Sequence, residues 1–581
     1  MRLLKNLFFI ILTTALAVVL EAVTFSSTEK LEEINTNFQT ASANHKNYDK
    51  SVTFTQIIYD EKSVQTLMDI IIGNEAETFK HISHKEFIQD VYQRKAYRPL
   101  WFTYKGLRKE AVYDLFNQIE EDVTLENYGA IRTKYHALKN KIFTTKKRSL
   151  EHELTLDLEL TSLYYSFMKH HIYGSIKWWN FQNKLSYLRK RHIAGDWATH
   201  TPKYDIADML LRYKVSHAVS MTTPISFNYG LMRDELSRLR IVQAQGGWRK
   251  IPNSSQLRYG KSGKVVRQLA QRLQSEGDYL CSNISSKYNN CLKKAVKHFQ
   301  KRHGLGQTGT ITPSTRKKLN LSVNWKIKKV LLNMDRIKRL QEQPEDRYIM
   351  VNIPEFRLFY RENNQQKLTM RVIVGDKTHH TPIFSNKVSY IVLNPYWLIP
   401  DSIVQKEMIP NMLKNPQYLE QRGYEVRRDY TLSHPPIDTS KIDWASVMRN
   451  GQTKKYKFMQ PPGPRNALGK IKFKFPNKFA VYLHDTPTKK LFKKGFRAFS
   501  HGCIRIAEPK ALLATFAKHE RSVNYNRAKR ILRGKTKTQL NLESPVPVHI
   551  LYLTARIKRD GLLHYFSDVY GYDAKQTRSI D

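Results

Sequence analysis

The hydrophobic period changes along this chain, and that change rules out any single repeating architecture. From Glu61 to Leu239 apolar residues return at three- and four-residue spacing, as at Leu67, Ile70 and Ile71 and through Glu153–Phe167. That spacing is the mark of amphipathic helices. Near residue 345 the period drops to two: Arg347–Ile353, Phe356–Tyr360, Leu368–Val374, Val388–Leu393 and Ile471–Phe475 read as strands. With 581 residues and 41% hydrophobic content the chain can fill several cores and is not disordered. The expected fold class is multidomain α+β, a helical scaffold followed by a mostly-β domain.

Punctuation sets the boundaries. Arg2 and Lys5 precede an apolar run, Leu7–Leu20, as in a signal peptide or anchor over 1–22. The run is short for a membrane span, and Glu21-Ala22-Val23 is a poor cleavage site. Export is therefore expected and cleavage stays open, with inner-membrane association through the N-terminus as the alternative. A polar linker, 23–59, leads to a helical scaffold, 60–250, in which Arg98–Phe102 punctuates two helices and His170 and His171 are expected on the polar surface. Residues 255–322 read as a small three-helix module, with Val266, Leu269 and Leu273 on one helix, Ala295, Val296, Phe299 and Gln300 on the next, and Thr315 and Leu319 on the third. A basic connector helix, 323–345, precedes the strand-rich domain, 346–556. Between 403 and 465 the strand pattern gives way to Pro410, Pro416, Pro435 and Pro436 among charges, which reads as an insertion without a core of its own. Glu508–His519 reads as a helix, Val546–Thr554 as the last strand, and 557–581 as a C-terminal extension.

The formal charge of +46 favours an anionic partner: nucleic acid, an acidic membrane surface or cell-wall polymer. Export argues against nucleic acid. Three cysteines in an oxidising compartment give one disulfide, Cys281–Cys291, and one free thiol, Cys503; two reduced core cysteines are the alternative.

That free thiol lies in the stretch with the most chemistry, Ala480–Ile506. A thiol acts as a nucleophile only as thiolate, and a nearby imidazole is the usual activator. Ala480–Leu483 reads as a strand delivering His484, and Phe499–Ile506 as a second strand turned sharply at Gly502. Side by side they would let His484 reach Cys503, and the turn would aim the Gly502 and Cys503 N–H groups at an oxyanion. Tyr482 would share the face of His484 and add a hydroxyl, or serve only as a strand aromatic. On residue chemistry alone a structural Cys–His pair is as good a reading as a catalytic one. Zinc would need more ligands, and no C-x-x-C is present.

Ser500-His501-Gly502-Cys503, preceded by His484, resembles the signature of the L,D-transpeptidases, whose catalytic domain is called YkuD-type. Gly463-Pro464-Arg465-Asn466-Ala467-Leu468-Gly469 with Lys472-Phe473, Val374-Gly375 with Thr381-Pro382, and Asn394-Pro395-Tyr396-Trp397 are similar to other family segments. Arg505 stands where many small members have Asn, and resembles the large periplasmic subclass, as does the tail Asp568–Asp573. Ala295–Leu305 with Gly309 resembles a peptidoglycan-binding domain.

The resemblance implies Cys503 as nucleophile and His484 as base, with the Asp485 carbonyl orienting the ring. It implies His501, Arg505, Ser500 and Trp397 as substrate contacts, and 403–465 as a helical capping subdomain. Most of the lysines in Lys489–Arg497 are expected to be solvated. The expected partners are peptidoglycan stem peptides, as donor and acceptor, with no cofactor and no metal. Cleavage after meso-diaminopimelate, release of D-Ala, a 3→3 cross-link and carbapenem acylation of Cys503 follow as family expectations. A secreted cysteine carboxypeptidase with water as acceptor, and a non-catalytic wall-binding scaffold, are the competing readings.

Overall fold

In a computed structural model, residues 61–577 are described, apart from 74–76, 104–105, 146–147, 199, 341–345 and 364. The expected leader and linker lie outside these. Among the described residues no helix is long and apolar enough to cross a membrane. The described chain divides into two compact units, one of 61–85, 92–109 and 134–161, the other of 86–91, 110–133 and 162–577.

In the first unit the buried carboxylate of Asp157 ties down the apolar punctuation at Arg98–Phe102. It accepts the N–H groups of Leu100, Trp101 and Phe102 at 3.1, 2.7 and 3.0 Å, and the Tyr92 hydroxyl.

The second unit is built on a mixed sheet. In chain order its strands are β1 (Arg347–Asn352), β2 (Arg357–Glu362), β3 (Gln365–Gly375), β4 (Phe384–Leu393), β5 (Ile471–Lys474), β6 (Leu483–His484), β7 (Ala498–Ser500), β8 (Ile504–Ile506) and β9 (Thr538–Leu551). The pairings run β8-β6-β5-β4-β9-β1-β2-β3 and return from β3 to β8, closing the sheet, with β7 added on the end of β3. Alternation sends Val351, Leu358, Val372, Ile391, Phe473, Leu483, Ile504 and Ile550 into one interior core. Trp178, Phe181, Leu185 and Trp197 join that core, as do Tyr570 and Tyr572. Residues of the expected scaffold and of the expected C-terminal extension thus share a core with the sheet.

The expected connector helix is observed at Val323–Lys338, and it is packed against the sheet. Ile327, Val330, Met334 and Ile337 pack with Met350, Phe359 and Leu551 on the outer face of β1, β2 and β9. Its buried Arg336 meets Asp573 at 2.7 Å and the Tyr552 carbonyl at 3.1 Å. Several expectations are corrected. The insertion does have a core of its own, made of Ile399, Val404, Met408, Ile409, Trp444, Val447 and Phe458. It also has a small sheet in which Lys457–Gln460 pairs with both Trp397–Leu398 and Glu425–Arg427. His171 is buried, with its ring 3.1 Å from the Thr223 hydroxyl, and His170 lies between Thr124 and Ser175, so neither is surface. Strand β9 begins well before Val546, because Pro545 and Pro547 fall beside a register break between Asn541 and Val546, where a lost ladder donor is tolerated. It is not the last strand: Ala555–Ile557 pairs with Leu563–Tyr565.

The three-helix module has helices at Lys264–Gln274, Asn290–Arg302 and Pro313–Leu319, and Cys281 is bonded to Cys291. One buried ion cluster fastens it. Glu276 meets Arg272, Lys326 (2.5 Å) and Arg302 (3.1 Å), and Arg302 also meets Asp278 and donates to the Leu563 carbonyl at 2.6 Å. Burial would raise the Glu276 pKa, but Arg272, Lys326, His303 and Arg302 overcome that and hold it well below the carboxylate range. Replacing Glu276 with Gln leaves Arg272 and Lys326 buried without their counter-charge. The expected cost is about 3–5 kcal/mol, read as a lower denaturant midpoint in chemical unfolding of the full chain.

Candidate active site

The site is assembled on the outer face of the sheet, opposite the interior core. Strands β6 and β8 are parallel neighbours with Leu483 opposite Ile504 and His484 opposite Arg505. Strand β5 flanks β6 antiparallel, with Lys472 opposite His484. Leu483, Ile504 and Phe473 point inward. Period two therefore turns Lys472, Lys474, Tyr482, His484, Cys503 and Arg505 outward on one face. The strands are shorter than expected: the second breaks into β7 and β8 around His501–Cys503, where Gly502 takes φ +100°. A Cβ is strained at that angle, which accounts for glycine there.

His484 is buried, and its Nδ1 lies 2.6 Å from the Asp485 carbonyl. A carbonyl only accepts, so Nδ1 carries the hydrogen and Nε2 keeps its lone pair. The Asp485 carboxylate faces elsewhere, accepting the N–H groups of Lys470 (2.9 Å) and Thr486 (2.7 Å) and pairing with Lys489. Burial, then Arg505 and Lys472, hold the His484 pKa down to about 3 against the Asp485 and Leu468 carbonyls.

Cys503 is half-buried and free. Its Sγ lies 3.9 Å from the Ala480 carbonyl, and the Tyr482 N–H and hydroxyl both act on it. No hydrogen bond joins it to His484 among the described residues. The two side chains share a face and sit diagonally across β6 and β8; the residue opposite the sulfur is Tyr482, whose ring is T-shaped to His484 at 5.5 Å. Burial pushes the thiol pKa up, and Tyr482, Lys472 and Lys474 oppose it. The resting pair is thus neutral thiol and neutral imidazole, not an ion pair.

The turn is held from behind. The Thr381 hydroxyl donates to the Gly502 carbonyl at 2.8 Å and accepts the Gly375 N–H at 2.8 Å. The Tyr570 hydroxyl donates to the Gly375 carbonyl at 2.9 Å and accepts the Thr381 N–H at 3.1 Å. In a trans peptide the C=O and N–H point opposite ways, so fixing the Gly502 carbonyl inward fixes the Cys503 N–H outward. Among the described residues neither the Gly502 nor the Cys503 N–H meets a protein acceptor.

The other expected residues divide. Arg505 is half-buried on the sulfur's face. Ser500 is buried, and its hydroxyl donates to the Cys503 carbonyl at 2.5 Å, so it shapes the turn and does not face a ligand. His501 is exposed, 2.5 Å from Glu407 of the insertion and 4.6 Å ring to ring from His379. Trp397 packs on the insertion's own core and is not brought to the sulfur. Arg497 is buried on the Val372 and Phe356 carbonyls. Lys472, Lys474, Thr381, Tyr570 and Glu407 were not expected as site residues. For the two lysines the signal was in the sequence, since Lys472 and Lys474 alternate with Ile471, Phe473 and Phe475.

A closed mixed sheet thus presents a thiol, an imidazole and the outward Cys503 N–H on one side. Residues 346–527 match the YkuD L,D-transpeptidase catalytic domain, 262–319 the "Putative peptidoglycan binding domain" and 86–236 the scaffold domain. A Haemophilus influenzae protein described as "Putative L,D-transpeptidase" is 31% identical over 307 residues, covering 52% of this chain and 60% of that protein. Among solved structures, an L,D-transpeptidase from Stackebrandtia nassauensis is 13% identical, with TM-score 0.20 over 52% of this chain and 96% of its own. One from Mycobacterium smegmatis is 11% identical, with TM-score 0.16 over 36% and 58%. The chain carries a YkuD-type L,D-transpeptidase catalytic domain together with a peptidoglycan-binding domain.

The pH dependence of the thiol follows from its neighbours. Alkylation of Cys503 by iodoacetamide is expected to reach half its limiting rate above the ordinary thiol value of about 8.5, with no inflection at pH 5–7, because His484 is already neutral there. Tyr482→Phe removes a hydroxyl that favours the thiolate and should move the curve to higher pH. A midpoint near 7 in the wild type would contradict the neutral-pair reading.

Proposed function

We propose that this chain is an exported peptidoglycan L,D-transpeptidase that uses Cys503 as nucleophile. The observation that carries the reading is the shared face of Cys503 and His484, beside the outward Cys503 N–H and inside a matched catalytic domain. His484 Nε2 takes the thiol proton as Sγ bonds to the carbonyl carbon of the meso-diaminopimelate–D-Ala bond. The Gly502 and Cys503 N–H groups receive the oxyanion, a contribution of about 3–4 kcal/mol per donor where such donors have been removed. Collapse breaks the C–N bond, His484 returns the proton to the departing D-Ala amine, and a thioester remains on Cys503. An acceptor stem amine then attacks, His484 takes its proton, and the thiolate leaves and is reprotonated, giving the 3→3 link.

A neutral base suits this cycle, because each attack needs a proton acceptor and each departure needs the proton back. The insertion, touching the turn through Glu407 and His501, is suited to screening the thioester from water. The peptidoglycan-binding domain would hold the enzyme on the wall polymer, and the high positive charge suits that anionic partner. The compartment is the periplasm.

The test is twofold. Incubation with a carbapenem should add one drug mass to the intact protein, and none to Cys503→Ala. With tetrapeptide stems the wild type should release D-Ala and form cross-linked dimers, and Cys503→Ala should lower that rate by at least about 10³-fold. Tripeptide as the only product would make water the acceptor and the enzyme a carboxypeptidase. Unchanged cross-linking by Cys503→Ala would reject the cysteine mechanism.

A further inference from the structure

The face that carries Cys503 holds three cations and no anion. Lys472 lies opposite His484 in the β5–β6 register, and its Nζ sits 3.8 Å from the centroid of the Tyr482 ring. Lys474 approaches the same ring at 5.2 Å, and Arg505 lies opposite His484 from the other side. All three are half-buried. Among the described residues no carboxylate pairs with any of them. The nearby acids are engaged elsewhere: Asp485 with Lys470, Thr486 and Lys489, and Glu407 with His501.

Several buried cations of the chain are matched with acids, although Arg497 is held by carbonyls alone. Arg302 has Asp278 and Glu276, Arg336 has Asp573, and Arg556 has Glu355 at 2.9 Å. An ammonium withdrawn from water is costly unless paired. Burial, then Lys474, bring the Lys472 pKa down to about 8. The cation–π contact with Tyr482 offsets only part of that cost. A ligand anion would supply the missing partner, beside the residue whose hydroxyl touches the sulfur.

We propose that Lys472, supported by Lys474 and Arg505, is the seat for a free carboxylate of the peptide bound at Cys503, and that it makes the site selective for acidic peptides over their amidated counterparts. The inference rests on the transpeptidase reading for the identity of the peptide. It does not rest on that reading for the anion, which three half-buried cations gathered on one face favour by themselves. A site built around a charged partner rejects the analogue that lacks it, because its own charge is then left uncompensated.

The test uses the full chain and two peptides, a stem tetrapeptide with free carboxylates and the same peptide with those carboxylates amidated. The wild type should prefer the free acid by roughly 10-fold or more in kcat/KM, chiefly through KM. Lys472→Met should lose that preference, and Lys472→Arg should keep most of it, with unchanged circular dichroism certifying both folds. In parallel, each peptide is tested for slowing iodoacetamide alkylation of Cys503, and the acid-to-amide ratio is compared within each protein. If Lys472→Met keeps the wild-type ratio, or slows both peptides equally, the lysine serves the thiol alone and the carboxylate seat is overturned. If the wild type turns over neither peptide, yet the acid protects Cys503 better than the amide and Lys472→Met erases the difference, the seat stands and the transpeptidase reading falls. If both peptides are turned over and protect equally, the seat falls and the reaction stands.

Discussion

The short parallel pairing of β6 with β8 is the constraint on which the site depends. Two residues of register, Leu483 with Ile504 and His484 with Arg505, decide what faces what. Because the side-chain period is two, a slip by one would carry His484 into the apolar interior and Leu483 onto the reactive face. The interior prevents the slip, since Leu483, Ile504 and Ile506 are fully buried there. Parallel neighbours also need a crossover. Here it is the segment from Asp485 to Arg497, pegged at one end by the Asp485 carboxylate and at the other by Arg497 on the Val372 and Phe356 carbonyls. The acid beside the His484 imidazole is therefore spent on holding the chain's exit, and its carbonyl is what reaches the ring.

From that register the electrostatics follow. Flanking His484 with Lys472 on one side and Arg505 on the other makes an imidazolium expensive, and burial makes it more so. The same cations favour a thiolate, but burial of the sulfur outweighs them. The site thus rests uncharged at Cys503 and His484 and cationic around them. In the proposed reaction, negative charge developing on a bound peptide would be stabilised there, while the pair itself is not pre-ionised.

Much of this was legible in the sequence where one period governed it. The alternation in Ile471–Phe475 and around Leu483 gave strands and faces directly, and Gly502 marked the turn. What escaped legibility depended on partners distant in the chain. The helix Val323–Lys338 reads only as a basic connector; Arg336 is buried in it because Asp573 and the Tyr552 carbonyl meet it from the C-terminal segment. The insertion reads as coreless because its apolar residues, from Ile399 to Phe458, are scattered among prolines and charges and converge only in three dimensions. Trp397 was drawn into the expected site by its motif, whereas its surroundings are the insertion's own aromatics, with Tyr424 at 6.2 Å. The diagonal offset between His484 and Cys503 was also hidden, because alternation fixes a face but not a register.

The C-terminal segment shows how far the reactive turn reaches into the fold. Asp568 accepts the Tyr552 hydroxyl at 2.6 Å and the Tyr572 N–H at 2.8 Å, and the Tyr570 N–H donates to the Tyr552 hydroxyl at 2.7 Å. The Tyr570 ring stacks on His380 at 4.0 Å, and Tyr572 reaches the same imidazole at 2.8 Å. Those contacts fix the Gly375–Thr381 hairpin, and Thr381 fixes the Gly502 carbonyl. Each link is a satisfied buried polar group, so breaking any one leaves its neighbour unpaired and costs more than the bond itself is worth. An oxyanion donor works by being aimed before the charge appears. In the proposed reaction the Cys503 N–H would be such a donor, oriented by peptide planarity acting on a carbonyl that the end of the chain holds in place.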